Sequence, residues 1–348
     1  MFLHRLLSLV FAAVLPLAAP SLMATDTRAE FLQLIDRPRV PADAKFETSS
    51  SPAPSGLSRL DFNFASDSTN RVPGILLKQT SSASASVRQP VVIALHGTGG
   101  NKETQLALLE QLAADGFIAV AIDARYHGAR ASQPKGTADY NAAILRAFQT
   151  GQEHPFFIDS TWDISRLVDC LVARDDVDPA RIALIGFSKG GIEAYLTAAA
   201  DPRIAATVAF IGVQSFGWAV DHDAWQSRIG TVQAAFDAAA KDAGITKPDA
   251  AFVRRFYDRV APGIYDRFDG PAMLPLIAPR PFLAINGDSD DRTPLPGLEL
   301  CAAAARAAYK AAGAEENFTL TLQPNTGHKT NPESVVAARA WLVRHLKP

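Results

Sequence analysis

The chain has 348 residues, with 34 basic side chains against 36 acidic ones, and 48% of it is apolar. Apolar content this high beside a charged fraction of only 20% excludes a disordered chain. A formal charge of −2 argues against a nucleic-acid binder driven by phosphate attraction, and the length suffices to bury a full core without disulfide or metal staples.

The first segment has the grammar of a secretory signal. Arg5, with His4, is a short basic start; Leu6 to Ala19 is an apolar run broken by Pro16; Ser21-Leu22-Met23-Ala24 offers a small residue just before the polar Thr25. An uncleaved anchor is the alternative, but the run is short for a membrane span and is interrupted by Pro16 and Pro20. Cleavage of residues 1–24 is expected, giving an exported protein, periplasmic or secreted, with no stable membrane insertion. Residues 25–57 read as a surface lead-in, in which Ser49 to Gly56 is a flexible stretch.

Strands and helices then follow in a recurring order. Leu60 to Phe64 alternates as a half-buried strand does. Val72 to Lys78 is a second strand, with Pro73 and Gly74 suggesting an edge or a bulge. Ser81 to Arg88 is a loop. Val91 to Leu95 is a continuous apolar run, as in a strand buried on both faces. Helical spacing over Lys102 to Asp115 ends at Gly116, and Phe117 to Ile122 is another buried strand. Residues 129–161 are an excursion before the amphipathic helix Trp162 to Ala173. Strands at 181–185, 206–211, 281–285 and 318–322 alternate with helices at 190–200, 298–312 and 332–346. That makes about eight strands, and the alternation argues a mostly parallel sheet covered by helices on both faces.

Residues 213–280 form a long insertion between the sixth and seventh of these strands. Helices are expected near 222–241 and 248–261. The segment is rich in aromatics (Phe216, Trp218, Trp225, Phe236, Phe252, Phe256, Tyr257, Tyr265, Phe268). It fits either a lid over a site or a packed structural insertion. Cys170 and Cys301 lie in separate helices among small apolar neighbours and read as buried free thiols. No metal-ligand spacing is present, and neither a metal nor a cofactor is expected.

The strongest chemical signal is Gly186-Phe187-Ser188-Lys189-Gly190-Gly191, set between a buried strand and a helix. A serine hydroxyl must project to meet both a base and a substrate carbonyl, and a sharp strand-to-helix turn provides that projection. Such a turn leaves little room for side chains, hence Gly186 and Gly190. The helix start aims free N–H groups at the reaction centre, so Lys189 N–H is a candidate oxyanion donor. His96-Gly97-Thr98-Gly99-Gly100 follows the third strand; Thr98 N–H is the second candidate donor, with Gly99 as the fallback, and His96 reads as structural. After the seventh strand, Asp288, Asp290 and Asp291 compete as the carboxylate that would orient an imidazole. After the last strand comes Thr326-Gly327-His328, a strand-end placement that His4, His127, His154, His222 and His345 lack.

The order Ser…Asp…His at the ends of the fifth, seventh and eighth strands resembles the α/β-hydrolase fold, from about residue 58 onward. Within that superfamily the motifs are most similar to the dienelactone hydrolase, acetyl xylan esterase and prolyl-oligopeptidase-like branches. The resemblance implies an acid three residues after Gly287 and four before Pro294, which selects Asp290. Asp123-Ala124-Arg125-Tyr126-His127-Gly128 resembles the family's loop after strand four. Tyr126, His127 and Trp218 are candidate substrate-lining residues. Lys189 stands where many relatives carry Met, Gln or His; it could favour anionic substrates or simply pair with a nearby acid. Dienelactone hydrolases use a cysteine nucleophile, so Ser188 argues against that substrate.

The implied function is a serine esterase with the catalytic set Ser188, Asp290 and His328, acting on a small-molecule or carbohydrate ester. A prolyl-oligopeptidase-like peptidase is the near alternative. Such enzymes usually carry a β-propeller, and the short lead-in here cannot hold four blades of on the order of 160 residues. A non-enzymatic binding protein on a hydrolase scaffold is the distant one.

Overall fold

The computed structural model describes residues 22–80, 88–133 and 136–347. Among the described residues nine strands form one sheet: β1 (Lys45–Thr48), β2 (Leu57–Ala65), β3 (Arg71–Gln79), β4 (Gln89–Leu95), β5 (Ile118–Ile122), β6 (Val177–Phe187), β7 (Ile204–Phe210), β8 (Phe282–Gly287) and β9 (Phe318–Gln323). Their order is β1-β2-β3-β5-β4-β6-β7-β8-β9. From β5 to β9 every neighbour is parallel, whereas β1, β2 and β3 join antiparallel at one side. This is the expected mixed α/β architecture. The short β1 raises the expected eight strands to nine, so the insertion falls between β7 and β8.

Strand periodicity divides the core. Val91, Ile93 and Leu95 of β4 face one side with Ile118, Val120, Ile182 and Leu184. Val92 and Ala94 face the other with Ala119, Ala121, Ala183 and Ile185. Both faces are buried, which is why these strands read as unbroken apolar runs.

The helices are α1 (Leu22–Ile35), α2 (Leu106–Ala114), α3 (Ala138–Thr150), α4 (Ile158–Val172) and α5 (Lys189–Ala200). The insertion supplies α6 (Phe216–Asp221), α7 (Gln226–Ile229), α8 (Gln233–Asp242), α9 (Ala250–Val260) and α10 (Gly270–Met273). The last two are α11 (Leu295–Ala311) and α12 (Pro332–Leu346). Leu109 and Leu112 of α2 and Trp341 and Leu342 of α12 cover one face. On the other lie Leu167 of α4, Leu196 of α5, Leu298 of α11 and Phe31 of α1. No helix of the described residues is long and apolar enough to cross a membrane.

Three expectations need correction. The lead-in is not only surface: Phe31 and Ile35 of α1 are buried in the core, because a helix with two large apolar residues one turn apart presents a stripe to it. β3 is not an edge strand; it pairs with β2 on one side and β5 on the other. Pro73 lies just outside the β5 ladder, which begins at Gly74, and a Cβ at Gly74 would stand 2.2 Å from the Phe62 ring. The helix expected over Lys102 to Asp115 opens as a 3₁₀ turn, Lys102–Gln105, capped by Asn101. Residues 1–21 of the expected signal and most of the loop at 81–88 lie outside the described residues.

Most insertion aromatics are packing residues. Phe216, Phe236, Phe252, Phe256, Tyr257 and Phe268 are buried, and Phe236 meets Phe252 and Phe256 edge-on at 5.2 Å. The 129–161 excursion supports them through α3: Asn141 accepts from Ala235 N–H, and Arg259 donates to Phe148 and Gln149 carbonyls. Cys170 and Cys301 are free and buried.

Candidate active site

Each chemical motif sits where a parallel strand ends. That edge of a doubly covered sheet is open, because the connecting loops there diverge to opposite faces. Ser188 joins β6 directly to α5 with φ 53° and ψ −113°, a strained conformation for a residue with a side chain. Its N–H donates to Phe210 O at 2.9 Å and its carbonyl accepts from Ile192 N–H at 3.1 Å, so both neighbouring elements hold the turn. A Cβ on Gly186 would stand 2.0 Å from Gly190 O, and one on Gly190 would stand 2.3 Å from Leu95 O. Those contacts explain why the turn admits only glycine at both positions.

Ser188 Oγ lies 2.8 Å from His328 Nε2. His328 Nδ1 lies 2.8 and 3.0 Å from the two carboxylate oxygens of Asp290. Burial by itself raises the Asp290 pKa, but hydrogen bonds from His328, Thr293 and Arg292 N–H outweigh it, and the net shift is downward. Asp290 is 4% exposed, so its charge is directed at the imidazole rather than spread into water. The other two acids have different places. Asp288 accepts from Asn325 and Thr326 N–H and so ties the acid loop to the histidine loop. Asp291 is exposed.

The loop after β4 runs beside the turn: a Cβ on Gly97 would lie 3.6 Å from Ser188 Cβ. Thr98 follows Gly97 there, and Lys189 is the first residue of α5, where N–H groups lack intrahelical partners. His96 Nδ1–H donates to Gly97 O at 2.8 Å, while its Nε2 accepts from Ala124 N–H at 3.1 Å. Burial, then the charge of Lys189, hold it down to about 3, so the ring is neutral. It fastens the loop after β4 to the loop after β5.

The Lys189 side chain turns inward. It forms a buried ion pair with Glu193, one helical turn on, and its ammonium lies 5.7 Å from the Tyr140 ring centroid. The two side chains are 1% and 2% exposed. The i,i+4 spacing was the sequence signal for this pairing.

The three candidate substrate-lining residues are placed differently. His127 is buried between His96 and Tyr140, with ring centroids at 5.1 and 4.7 Å, and its Nδ1–H donates to Arg125 O. Burial, then Lys189, push it down to about 2. It does not reach the surface. Tyr126 is half-buried; its hydroxyl donates to Glu153 at 2.5 Å, and it borders an open hollow of about 490 Å³ beside Arg125 and Arg130. Trp218 is half-buried, stacks on His222 at 4.6 Å, and lies against Gly297 at the start of α11.

Two residues left no sequence signal. Asp269, at the end of the insertion, accepts from Ser215 Oγ and from the N–H groups of Phe216, Gly217 and Gly270, fixing the loop that leaves β7. Arg228 is buried in α7 with no carboxylate bonded to it. No group of His, Cys, Asp and Glu side chains able to hold a metal occurs among the described residues.

Solved structures of similar shape include acetyl xylan esterase 1 from Thermoanaerobacterium sp. JW/SL YS485 (TM-score 0.65, 19% identity, 93% of this chain and 94% of that one). A glucuronoyl esterase from Solibacter usitatus is similar at TM-score 0.59 and 16% identity, over 92% of each chain. At these identities the likeness is one of fold. Among curated proteins, the putative hydrolase YtaP of Bacillus subtilis (strain 168) is 29% identical over 184 residues, 52% of each chain. The quorum-quenching protein AidA of Acinetobacter baumannii (strain MDR-ZJ06) is 28% identical over 123 residues, 35% of each. The matches thus span between about a third and about half of these curated relatives. The family model for acetyl xylan esterase (AXE1) matches residues 32–216, more than half of the chain and including the Ser188 turn. The chain belongs to the acetyl xylan esterase family.

Proposed function

We propose that the protein is a serine carboxylesterase acting on a small-molecule or carbohydrate ester through an acyl-enzyme. The observation that carries this reading is the continuous hydrogen-bonded chain from Ser188 Oγ through His328 to Asp290. Ser188 Oγ attacks the ester carbonyl carbon while its proton passes to His328 Nε2. Asp290 holds Nδ1–H, fixes the tautomer and stabilises the imidazolium that forms. The tetrahedral oxyanion is received by the N–H groups of Lys189 and Thr98. His328 returns the proton to the departing alcohol, then takes one from the water that attacks the acyl carbon and passes it to Ser188 Oγ as the acid is released. No step calls for a metal or cofactor. Family membership supports the reaction class, and acetylated sugars are its first substrates to try. Residues 1–24 carry the composition of an export signal, which supports action outside the cytoplasm.

The test is labelling with a fluorophosphonate probe, followed by a panel of short acyl esters, acetylated sugars and aminoacyl arylamides. Modification of Ser188 and ester turnover are expected. Hydrolysis of arylamides alone would replace the esterase by a peptidase, and an unlabelled folded protein would remove the enzyme reading.

A further inference from the structure

The described chain has four cationic side chains in residues that are themselves buried: Arg125, Arg166, Arg228 and Lys189. Three have carboxylates. Arg125 meets Asp163 at 2.9 Å, Arg166 meets Asp169 at 2.5 Å, and Lys189 meets Glu193. Arg228 is the exception: it is 5% exposed, and its Nε and one terminal nitrogen are buried without a hydrogen-bond partner. Burial pushes its pKa down only to about 10, so it is a cation at neutral pH. An unpaired buried cation is costly, and folded proteins keep one where something else meets it.

Its surroundings repeat the pattern. The hydroxyls of Tyr195 and Tyr257 are likewise buried and unpartnered, and so are both side-chain amide atoms of Gln214, in the loop after β7 that Asp269 fixes through Ser215. The Tyr195 and Tyr257 groups are near enough for their charge states to act on Arg228, as is Asp290. Asp290 does not pair with it, being engaged with His328 and Arg292 N–H. Asp269, the other acid near both tyrosines, is taken up by its own loop. Exposed Arg292 adds a second positive field from the acid loop.

Arg228 feels the charge of Asp290, the acid of the catalytic chain. Tyr195 stands on α5 two turns after Ser188, a rise of about 10 Å, and helical side chains lean back toward the N-terminus. Gln214 follows Gly212, where a Cβ would stand 2.8 Å from Ser188 O. The unused groups are a fork of guanidinium N–H donors, two hydroxyls and an amide. A planar acceptor with two oxygens and a single negative charge suits one guanidinium flanked by neutral donors.

We propose that Arg228, with Tyr195, Tyr257 and Gln214, forms an anion subsite that recognises a carboxylate carried by the ester substrate. This rests on the esterase reading of Ser188 and names its substrate class: esters with a free carboxylate a few bonds from the scissile carbonyl. On this reading α7 gives the insertion a part in substrate selection, since it carries the selecting charge.

The experiment compares kcat/KM for matched pairs differing in one charge. p-Nitrophenyl hemiglutarate is set against p-nitrophenyl pentanoate, and 4-acetoxybenzoate against 4-acetoxybenzamide, so that both halves of the ester are tried. At least one anionic member should exceed its neutral partner by about tenfold, and Arg228→Met should abolish that ratio while Arg228→Lys retains part of it. Glutarate should also inhibit the unmodified protein competitively and glutaramide should not, a readout that survives if Arg228→Met fails to fold. Turnover of neutral esters with both ratios at or below one, or a ratio indifferent to Arg228→Met, overturns the subsite and leaves the esterase standing. No turnover of any ester, with Ser188 unlabelled, overturns the esterase reading and the subsite with it.

Discussion

Replacing Asp290 by Asn tests the proposed chemistry at one atom. The Asp290 carboxylate faces His328 Nδ1 with both oxygens, at 2.8 and 3.0 Å, and also accepts from Arg292 N–H at 2.9 Å. An amide there keeps the shape. Its oxygen would retain the Arg292 N–H bond, which turns the NH₂ group toward the imidazole. Nδ1 must then accept, and the ring proton moves to Nε2, where it points at Ser188 Oγ. The serine proton has nowhere to go, and the imidazolium loses its counter-charge. A wrong tautomer of this kind lowers turnover by about 10⁴-fold, or about 5 kcal/mol of barrier. Asp288→Asn keeps one oxygen and so only one of the bonds from Asn325 and Thr326 N–H, and a loss of about tenfold is expected from loosening of the histidine loop. Asp291→Asn changes an exposed group and should stay within about twofold. The assay is kcat/KM on p-nitrophenyl acetate for the three variants, with folding checked by circular dichroism. An Asp290→Asn loss under tenfold, or a larger loss at Asp288 or Asp291, would refute the assignment of the acid.

Glu193→Gln leaves the Lys189 ammonium buried without its counter-ion and should cost about 3–5 kcal/mol in urea unfolding, whereas Lys189→Met with Glu193→Leu should recover most of that loss; equal stabilities would show the pair to be solvated. Gly190→Ala drives a Cβ against the Leu95 carbonyl and should cost about 4 kcal/mol or more, read as lost soluble yield or lowered Tm. His96 and His127, held down to about 3 and about 2, are neutral when folded but protonate near 6.5 when unfolded. Their stabilisation is complete above that pH and is lost as the pH falls from 6.5 toward 3, at about 1.4 kcal/mol per pH unit for each ring. His127→Gln should remove about half of that slope between pH 6 and 4.5, and a flat profile for the parent protein would contradict the burial assigned to both rings.

The parallel part of the sheet was legible because strands buried on both faces appear as unbroken apolar runs: Val91–Leu95 and Ile182–Ile185 allow little else. The serine turn was legible for a different reason. Gly186 and Gly190 are fixed by backbone atoms only 2.0 and 2.3 Å from where a Cβ would go, so sterics write themselves into the sequence. The pairing of β3 on both sides was not legible, since its second partner, β5, is remote in sequence and Pro73 falls just outside that ladder. Helix α1 escaped because, among its described side chains, Phe31 and Ile35 are the deeply buried ones, too short a stripe to stand out from a polar lead-in. Arg228 escaped altogether: what distinguishes it is the lack of a partner, a property of tertiary placement.

These differences divide the molecule by function. The sheet and its connecting loops position Ser188, His328 and Asp290, with backbone atoms fixing Gly186 and Gly190 around the serine, and that part left the motifs that read as family. Behind the turn, Lys189 is neutralised by Glu193 and faces two histidines kept uncharged, so the cation following Ser188 is spent inside the fold. An inward, paired Lys189 cannot recognise an anionic substrate, although its position in the sequence suggested that it could. If charge selection occurs at this site, it must come from a cation that the fold leaves unpaired. Among the buried cations described here that is Arg228, supplied by the insertion between β7 and β8. Selectivity and chemistry would then be encoded in different segments, and exchanging residues 213–280 between relatives should transfer the preference for charged esters without moving the catalytic chain.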